Sequence, residues 1–357
     1  MRAPTLVAAA ALAGLGFGAA LGVGLAAAAD GGSASPNAPG PPAATTGQAS
    51  TEASSSPTPS SATSASPSAG SGWSVTLRAP GVDVLQPIAL SGTVQAAPGD
   101  PARPTYAVLE RWVSPSWTPV HQVPLTWTGS AATLATTYAR TASPGTYALR
   151  LAVTTTPGVT VLGSVTVPVR AAIDISVSGP LTRADLPFTY RAGCPVPPSR
   201  LRRVDMNFWS FQPGIVARGS LIVKDSLVPD VRRAFTRIFA AHFPIHKMFP
   251  ADRYGGKDVR AMAADDTSAF NCRTVTGNPY RISQHSYGNA IDINTWENPY
   301  VTPSHVYPSR HFLRRSPYRM GMIVKHGPVQ RAFTALGWLW GARWSHPDYQ
   351  HFSSNGG

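Results

Sequence analysis

Ser283-Gln284-His285-Ser286-Tyr287-Gly288-Asn289-Ala290-Ile291-Asp292 and Trp344-Ser345-His346-Pro347-Asp348-Tyr349-Gln350-His351-Phe352 are the two runs whose residue types could do chemistry. Together they offer His285, Asp292 and His351 as candidate zinc ligands, and a spare carboxylate, Asp348, three residues before the last histidine. A catalytic zinc takes three protein ligands from His and Asp/Glu and keeps a fourth position for water. The metal makes that water acidic enough to attack at neutral pH, and a nearby carboxylate can take its proton.

The spacing says how the ligands are carried. His285 and Asp292 are seven residues apart, which suits a loop ligand followed by a strand ligand, with Gly288 turning the chain between them. Asp292 sits between Ile291 and Ile293, so on an alternating strand the two Ile point one way and Asp292 the other. A carboxylate in so apolar a stretch needs a partner, which a metal ion or one of the many arginines could supply. Asp348 and His351 can face one space in a turn, with Trp344 and Phe352 as apolar walls. Among the other histidines, His346 is a minor candidate for substrate contact, while His242 and His246 suit structural roles. Tyr287, Trp296 and Tyr300 could line a cleft and carry no assigned role.

The order S-x-H-x-x-G-x-A-x-D, then W-x-x-x-D-x-x-H-F, resembles the D-alanyl-D-alanine carboxypeptidase (VanY-like) family of zinc metallopeptidases, whose relatives include phage L-alanyl-D-glutamate endopeptidases. Ser283, His285, Gly288, Ala290, Asp292, Trp344, Asp348, His351 and Phe352 fall on that pattern. The resemblance implies one zinc ion on His285, Asp292 and His351, with Asp348 as general base. Many members have Glu at the base position. It also implies an arginine upstream of the first histidine that binds the substrate carboxylate or stabilises the oxyanion; Arg273 is the nearest match, and Ser283 joins it as a substrate-binding residue. The implied fold is an α+β zinc peptidase domain of the DD-peptidase/hedgehog-like kind. The implied activity is hydrolysis of peptide bonds in peptidoglycan stem peptides, as a D,D-carboxypeptidase or an endopeptidase. The competing expectation is a cell-wall-binding protein whose zinc site is catalytically inactive.

The elements around the motifs fit an α+β texture over residues 194–357. Leu201–Phe208 and Gly219–Lys224 read as strands, and Ala290–Ile293 as a short buried one. Pro229–Phe243 reads as a helix with Val231, Phe235, Ile238 and Phe239 on one face; His326–Leu336 reads as a second, closed by Gly337. Residues 73–172 read as all-β, with runs at Trp73–Ala79, Ile88–Gln95, Tyr106–Trp112, Val123–Trp127, Ala132–Tyr138, Tyr147–Val153 and Val159–Val169. About seven short strands at this spacing suggest a sandwich. Ser143-Pro144-Gly145-Thr146-Tyr147 is similar to the entry to a late strand in immunoglobulin-like modules. Nothing there suggests catalysis. Residues 173–193 read as a connector.

The N-terminal region bears on location. Arg2 precedes an uncharged Ala/Leu/Gly/Val run ending in Ala27-Ala28-Ala29, so residues 1–29 read as a signal peptide, with a retained N-terminal anchor as the rival. Both put the rest outside the cytoplasm, secreted or anchored at the wall or membrane. Residues 30–72, rich in Ser, Thr, Pro and Ala, read as a disordered linker. In an exported chain its two cysteines, Cys194 and Cys272, are expected to pair; two buried free thiols are the alternative. The chain carries a formal charge of +13, and residues 173–357 hold 23 Lys and Arg against 12 Asp and Glu. So basic a half suggests a polyanionic neighbour: an anionic cell-wall polymer, an anionic membrane surface or nucleic acid. No nucleic-acid-binding motif is visible, which makes nucleic acid the weakest of the three. The expected partners are peptidoglycan peptides and anionic wall polymers, with the membrane met only through the N-terminal anchor and the protein a monomer.

Overall fold

The computed structural model describes residues 72–154 and 160–357, which are mostly sheet with few helices. The expected leader, 1–29, and the linker up to residue 71 lie outside the described residues. Among the described residues, no helix is long and apolar enough to cross a membrane.

Nine strands come first: β1 (Ser74–Arg78), β2 (Val82–Asp83), β3 (Ile88–Gln95), β4 (Tyr106–Val113), β5 (Ser116–Pro124), β6 (Thr126–Thr128), β7 (Ala131–Tyr138), β8 (Gly145–Thr154) and β9 (Thr160–Arg170). They form two sheets, ordered β1-β3-β7-β6 and β2-β9-β8-β4-β5. The alternation legible in the sequence is the alternation of burial. Ile88, Leu90 and Val94 of β3 and Tyr147, Leu149, Leu151 and Val153 of β8 point into one shared apolar core, while their neighbours stay outside. The Tyr147 hydroxyl donates back to the Ser143 carbonyl at 2.9 Å, fixing the corner before β8. One strand differs from expectation. The reading of Val123–Trp127 as a strand is replaced by β5 and β6, which part at Leu125. β5 is an edge strand with mostly exposed residues, so it lacks a period-2 apolar signal, and its Pro119 faces Glu110 across a register shift. Pro is tolerated at such edges and bulges because no ladder donor is needed there.

The apolar cluster between these sheets also takes in Trp209, Val216 and Phe239 from the residues that follow, and the Val216 amide donates to the Ala142 carbonyl at 2.7 Å. Residues 173–193, expected as a connector, contribute a strand. β10 (Ile175–Ser178) pairs antiparallel with β11 (Leu201–Trp209), which pairs with β12 (Val216–Lys224). Behind this sheet α1 (Val228–Ala240) buries Val231, Phe235, Ile238 and Phe239, the face the spacing predicts, with Pro229 in the first turn. The helix stops three residues short of the expected end, because His242 takes a left-handed conformation (φ 52°) against the Trp209 ring. A short helix not foreseen, α2 (Asp258–Ala263), follows; then come the hairpin β13 (Thr274–Val275) and β14 (Asn278–Ile282), β15 (Ala290–Asp292), and the pair β16 (Tyr300–Val301) and β17 (Val306–Tyr307). The second long helix, α3 (Pro328–Thr334), begins at Pro328 rather than His326, since Pro suits the first helical turn and disfavours helix in the residue before it. β18 (Leu339–Trp340) and β19 (His351–Ser353) close the chain, in a sheet ordered β15-β19-β18.

Cys194 and Cys272 form a disulfide across 78 residues. It ends a segment stitched to its neighbours on both sides. Ser268 exchanges backbone hydrogen bonds with Asp292, Phe270 donates to Ile222 and Cys272 to Thr189. A small cluster of Leu186, Val196, Leu201, Ile222 and Phe270 packs around the bridge. Closing a loop of this length should stabilise the fold by about 4 kcal/mol through the unfolded state. Replacing both cysteines with serine should therefore lower the unfolding free energy by a few kcal/mol, read as a lower denaturant midpoint; an unchanged midpoint would show that the surrounding ladder bonds suffice.

Candidate metal and active site

β15 and β19 pair in a register that sets Asp292 opposite His351 and Ile291 opposite Phe352. Directly opposed residues share a face. Ile291 and Phe352 are buried in the core with α1 and α3, and Asp292 and His351 turn to the other side. His285 arrives from a 3₁₀ turn, Gln284–Tyr287, whose start is capped by the Ser283 hydroxyl accepting the His285 amide. Gly288 ends the turn at φ 65°, and a Cβ there would lie 2.8 Å from the Lys224 amide nitrogen, so only glycine lets the chain pass. The loop-then-strand arrangement read from the sequence is what the chain adopts.

The three side chains converge. His285 Nε2 lies 3.1 Å from one Asp292 oxygen, His351 Nδ1 lies 3.0 Å from the other, and the two ring nitrogens are 3.2 Å apart. Ligand atoms arranged tetrahedrally at zinc–nitrogen distances near 2.05 Å are separated by about 3.3 Å, so these spacings fit a zinc ion. The His285 ring is oriented by Nδ1, which sits at hydrogen-bond distance from the Ala269 carbonyl. Donating there leaves the Nε2 lone pair facing Asp292 and His351, the usual outer support of a metal-bound imidazole. Two imidazole lone pairs and a carboxylate packed this closely in a buried site require a proton or a cation among them. Burial alone would raise the Asp292 carboxyl, but the charges and hydrogen bonds of His285 and His351 outweigh it and hold it well below the usual carboxylate range. No arginine pairs with Asp292 among the described residues.

Asp348 is buried in the wall of the same cavity, of about 550 Å³, and its Oδ1 has no hydrogen-bond partner among the described residues. Burial raises its carboxyl above the ordinary range, and the charge of Asp292 adds to the rise. Its backbone is held by a bridge to Tyr300 and by donation to Gly341. A Cβ on Gly341 would sit 2.7 Å from the Asp348 carbonyl oxygen, so this close approach also needs glycine. Trp344 packs its ring 5.3 Å from that of His351. Burial and then the Asp348 charge raise the Tyr300 phenol, which stays protonated on the cavity wall.

Residues 276–354 match the model of the D-alanyl-D-alanine carboxypeptidase family. That segment contains His285, Asp292, Asp348 and His351 and is similar to that family; no curated protein and no solved structure matches the chain. Arg273 lies just outside the stretch shared with the carboxypeptidase family, and the structure places it in the same cavity. Its Nη2 pairs with Asp258 Oδ1 at 2.7 Å, its Nη1 donates to the Thr274 carbonyl, and its buried Nε has no partner among the described residues. Its amide donates to Ser286 Oγ, one residue from His285. Ser283, expected to touch substrate, lines the cavity with its hydroxyl accepting from the His285 turn. His346 is exposed and lines the cavity; the His242 ring packs at a tilt against Trp209, and His246 pairs with Asp265. Tyr287 and Trp296 are not among the cavity-lining residues. Sequence reasoning missed Asp258 and Thr276, whose hydroxyl donates to Asp258 Oδ2 at 2.6 Å. Nothing in the spacing from Asp258 to Arg273 announces that pair.

Proposed function

We propose that this chain is an exported zinc-dependent peptidase that hydrolyses peptide bonds in peptidoglycan stem peptides. The observation that carries this reading is the convergence of His285, Asp292 and His351 in a cavity that also holds the Asp348 carboxyl, whose Oδ1 has no hydrogen-bond partner among the described residues. Zinc on those three side chains would supply an acidified water and polarise the scissile carbonyl. Asp348 Oδ1 would take the proton from the attacking water and return it to the leaving amine nitrogen. Burial raises the Asp348 carboxyl, so that its carboxylate form is a stronger base than an ordinary Asp, which favours that transfer. The Arg273 guanidinium, with Nε still free, would bind the substrate carboxylate or the developing oxyanion. The apolar run 1–29 and the spacer 30–72 support export, and the corner at Tyr147 supports an immunoglobulin-like module over residues 73–172.

The test is incubation of the full chain, loaded with one equivalent of zinc, with muropeptides, read by mass spectrometry. Loss of a terminal D-alanine would mark a D,D-carboxypeptidase, and cuts within the stem or bridge an endopeptidase. A zinc-loaded protein that yields no product would overturn the proposal in favour of a wall-binding protein. Within this reading Asp258 is a positioning residue. Asp258→Ala should lower kcat/KM by roughly 10-fold, about 1.4 kcal/mol, through a raised KM, with zinc stoichiometry unchanged. Unaltered kinetics would show that Thr274 alone holds the guanidinium.

A further inference from the structure

From Asn298 to Pro347 the chain runs fifty residues with seven arginines and lysines and no Asp or Glu. One of the seven, Arg315, is spent inside the fold. It donates to the Ile323 carbonyl and Asn298 Oδ1, both at 2.8 Å, and its guanidinium lies 4.5 Å from the centre of the Tyr349 ring. Arg315 and Tyr349 thereby become one wall of a second cavity, of about 710 Å³, lined also by Lys325, Gln330, Trp340 and Arg343. Lys325 and Arg343 are exposed and have no ion-pair partner among the described residues. Trp340 donates its indole N–H to the Tyr349 carbonyl at 2.7 Å, which fixes its half-buried ring in the groove.

Two unneutralised cations beside a fixed aromatic floor form a site for a ligand with repeated negative charge and some flat or apolar surface between the charges. The Trp340 and Tyr349 rings are half-buried, and of the exposed side chains that line the cavity only Leu339 is apolar, beside Lys325, Thr334 and Arg343, which favours a charged chain over a lipid surface. A groove suits a chain. We propose that this cavity binds a flexible linear polyanion of repeating phosphate or carboxylate groups. β18, which carries Trp340, pairs with β19, which carries His351. A polymer in the groove is thus held one strand away from the cleft, and the protein stays close to polymer-bearing material while it cleaves. The groove does not depend on the peptidase reading, and binding can be measured without turnover.

The experiment titrates the full chain with inorganic polyphosphate by calorimetry between 50 and 200 mM salt, with the Lys325→Glu/Arg343→Glu double variant beside it. Arg183→Glu/Arg232→Glu is the control, because both residues are exposed, lack ion pairs among the described residues and give the same change in net charge. The expected result is saturable binding that weakens by about 10-fold or more in the groove variant and by less than about 2-fold in the control. The slope of log affinity against log salt should also fall by about 2, one for each cation removed. Equal losses in both variants would make the effect one of net charge and overturn the proposal. Absence of saturable binding would overturn it, as would binding to vesicles containing phosphatidylglycerol without binding to polyphosphate. Thermal midpoints of both variants report folding; should the groove variant unfold, Lys325→Gln alone must still lower the salt slope by about 1.

Discussion

Asp348→Ala should abolish turnover while the protein stays folded and binds one zinc. General-base catalysis by a positioned side chain contributes roughly 10²- to 10⁴-fold, so kcat should fall by about three orders of magnitude with KM little changed. The variant should fold because the carboxyl is buried with an oxygen that has no hydrogen-bond partner among the described residues, and its charge is opposed by that of Asp292. Removing such a group relieves a desolvation cost and gives up only the contacts of the carboxyl with Gln350 and His351. Zinc should stay because the three converging atoms belong to His285, Asp292 and His351, and the β15–β19 register that aligns two of them is made by backbone. Three readouts separate the possibilities: a thermal midpoint for folding, bound zinc per chain for the metal, and product per unit time for catalysis. Activity within 10-fold of the parent would remove Asp348 from the reaction. Asp348→Asn sharpens the test, because it keeps the shape and abolishes the base.

The candidate site was legible in the sequence to the extent that its chemistry is local. His285, Gly288 and Asp292 lie within one turn and strand, so their spacing alone implied a loop ligand and a strand ligand. The alternation Ile291-Asp292-Ile293 implied which way the carboxylate points, and both isoleucines are fully buried on the other face. The pairing of Asp292 with His351 across 59 residues was not legible, since strand register depends on which faces meet in the folded sheet. The hold of Asp258 on Arg273 was hidden for the same reason. Asp258 opens a six-residue helix and reads as an ordinary charged residue at a helix start. The fold divides in a similar way. β3 and β8 bury every second side chain and were visible as such, whereas β5 is an exposed edge strand with prolines and β2 has only two residues. α1 showed itself by four apolar residues on one face; β10 carries mostly exposed residues and showed no such pattern.

Asp292→Ala should remove the metal, with a larger effect on zinc affinity than any outer contact of the site. Asp292 is the member of the cluster that faces both histidines, one oxygen to each. Without it two imidazole nitrogens 3.2 Å apart share a buried space with no anion to offset a cation. Loss of groups that merely support metal ligands costs 10- to 100-fold in affinity, so loss of this ligand should exceed about 100-fold. Stability reports the same event through linkage. Zinc at 1,000 times its dissociation constant should stabilise the parent protein by about 4 kcal/mol, raising the thermal midpoint, and chelation should reverse the gain. The Asp292→Ala protein should show a midpoint insensitive to zinc. Its metal-free form should also be less stable than the metal-free parent, because the hydrogen bonds that tie Asp292 to His285 and His351 are gone and the imidazoles stay buried. One equivalent of zinc bound by Asp292→Ala with unchanged affinity would show that the metal is held elsewhere. A zinc-dependent midpoint that survives Asp292→Ala but vanishes in His285→Ala would assign the carboxylate to orienting the histidines and leave two protein ligands at the metal, fewer than a catalytic zinc site requires.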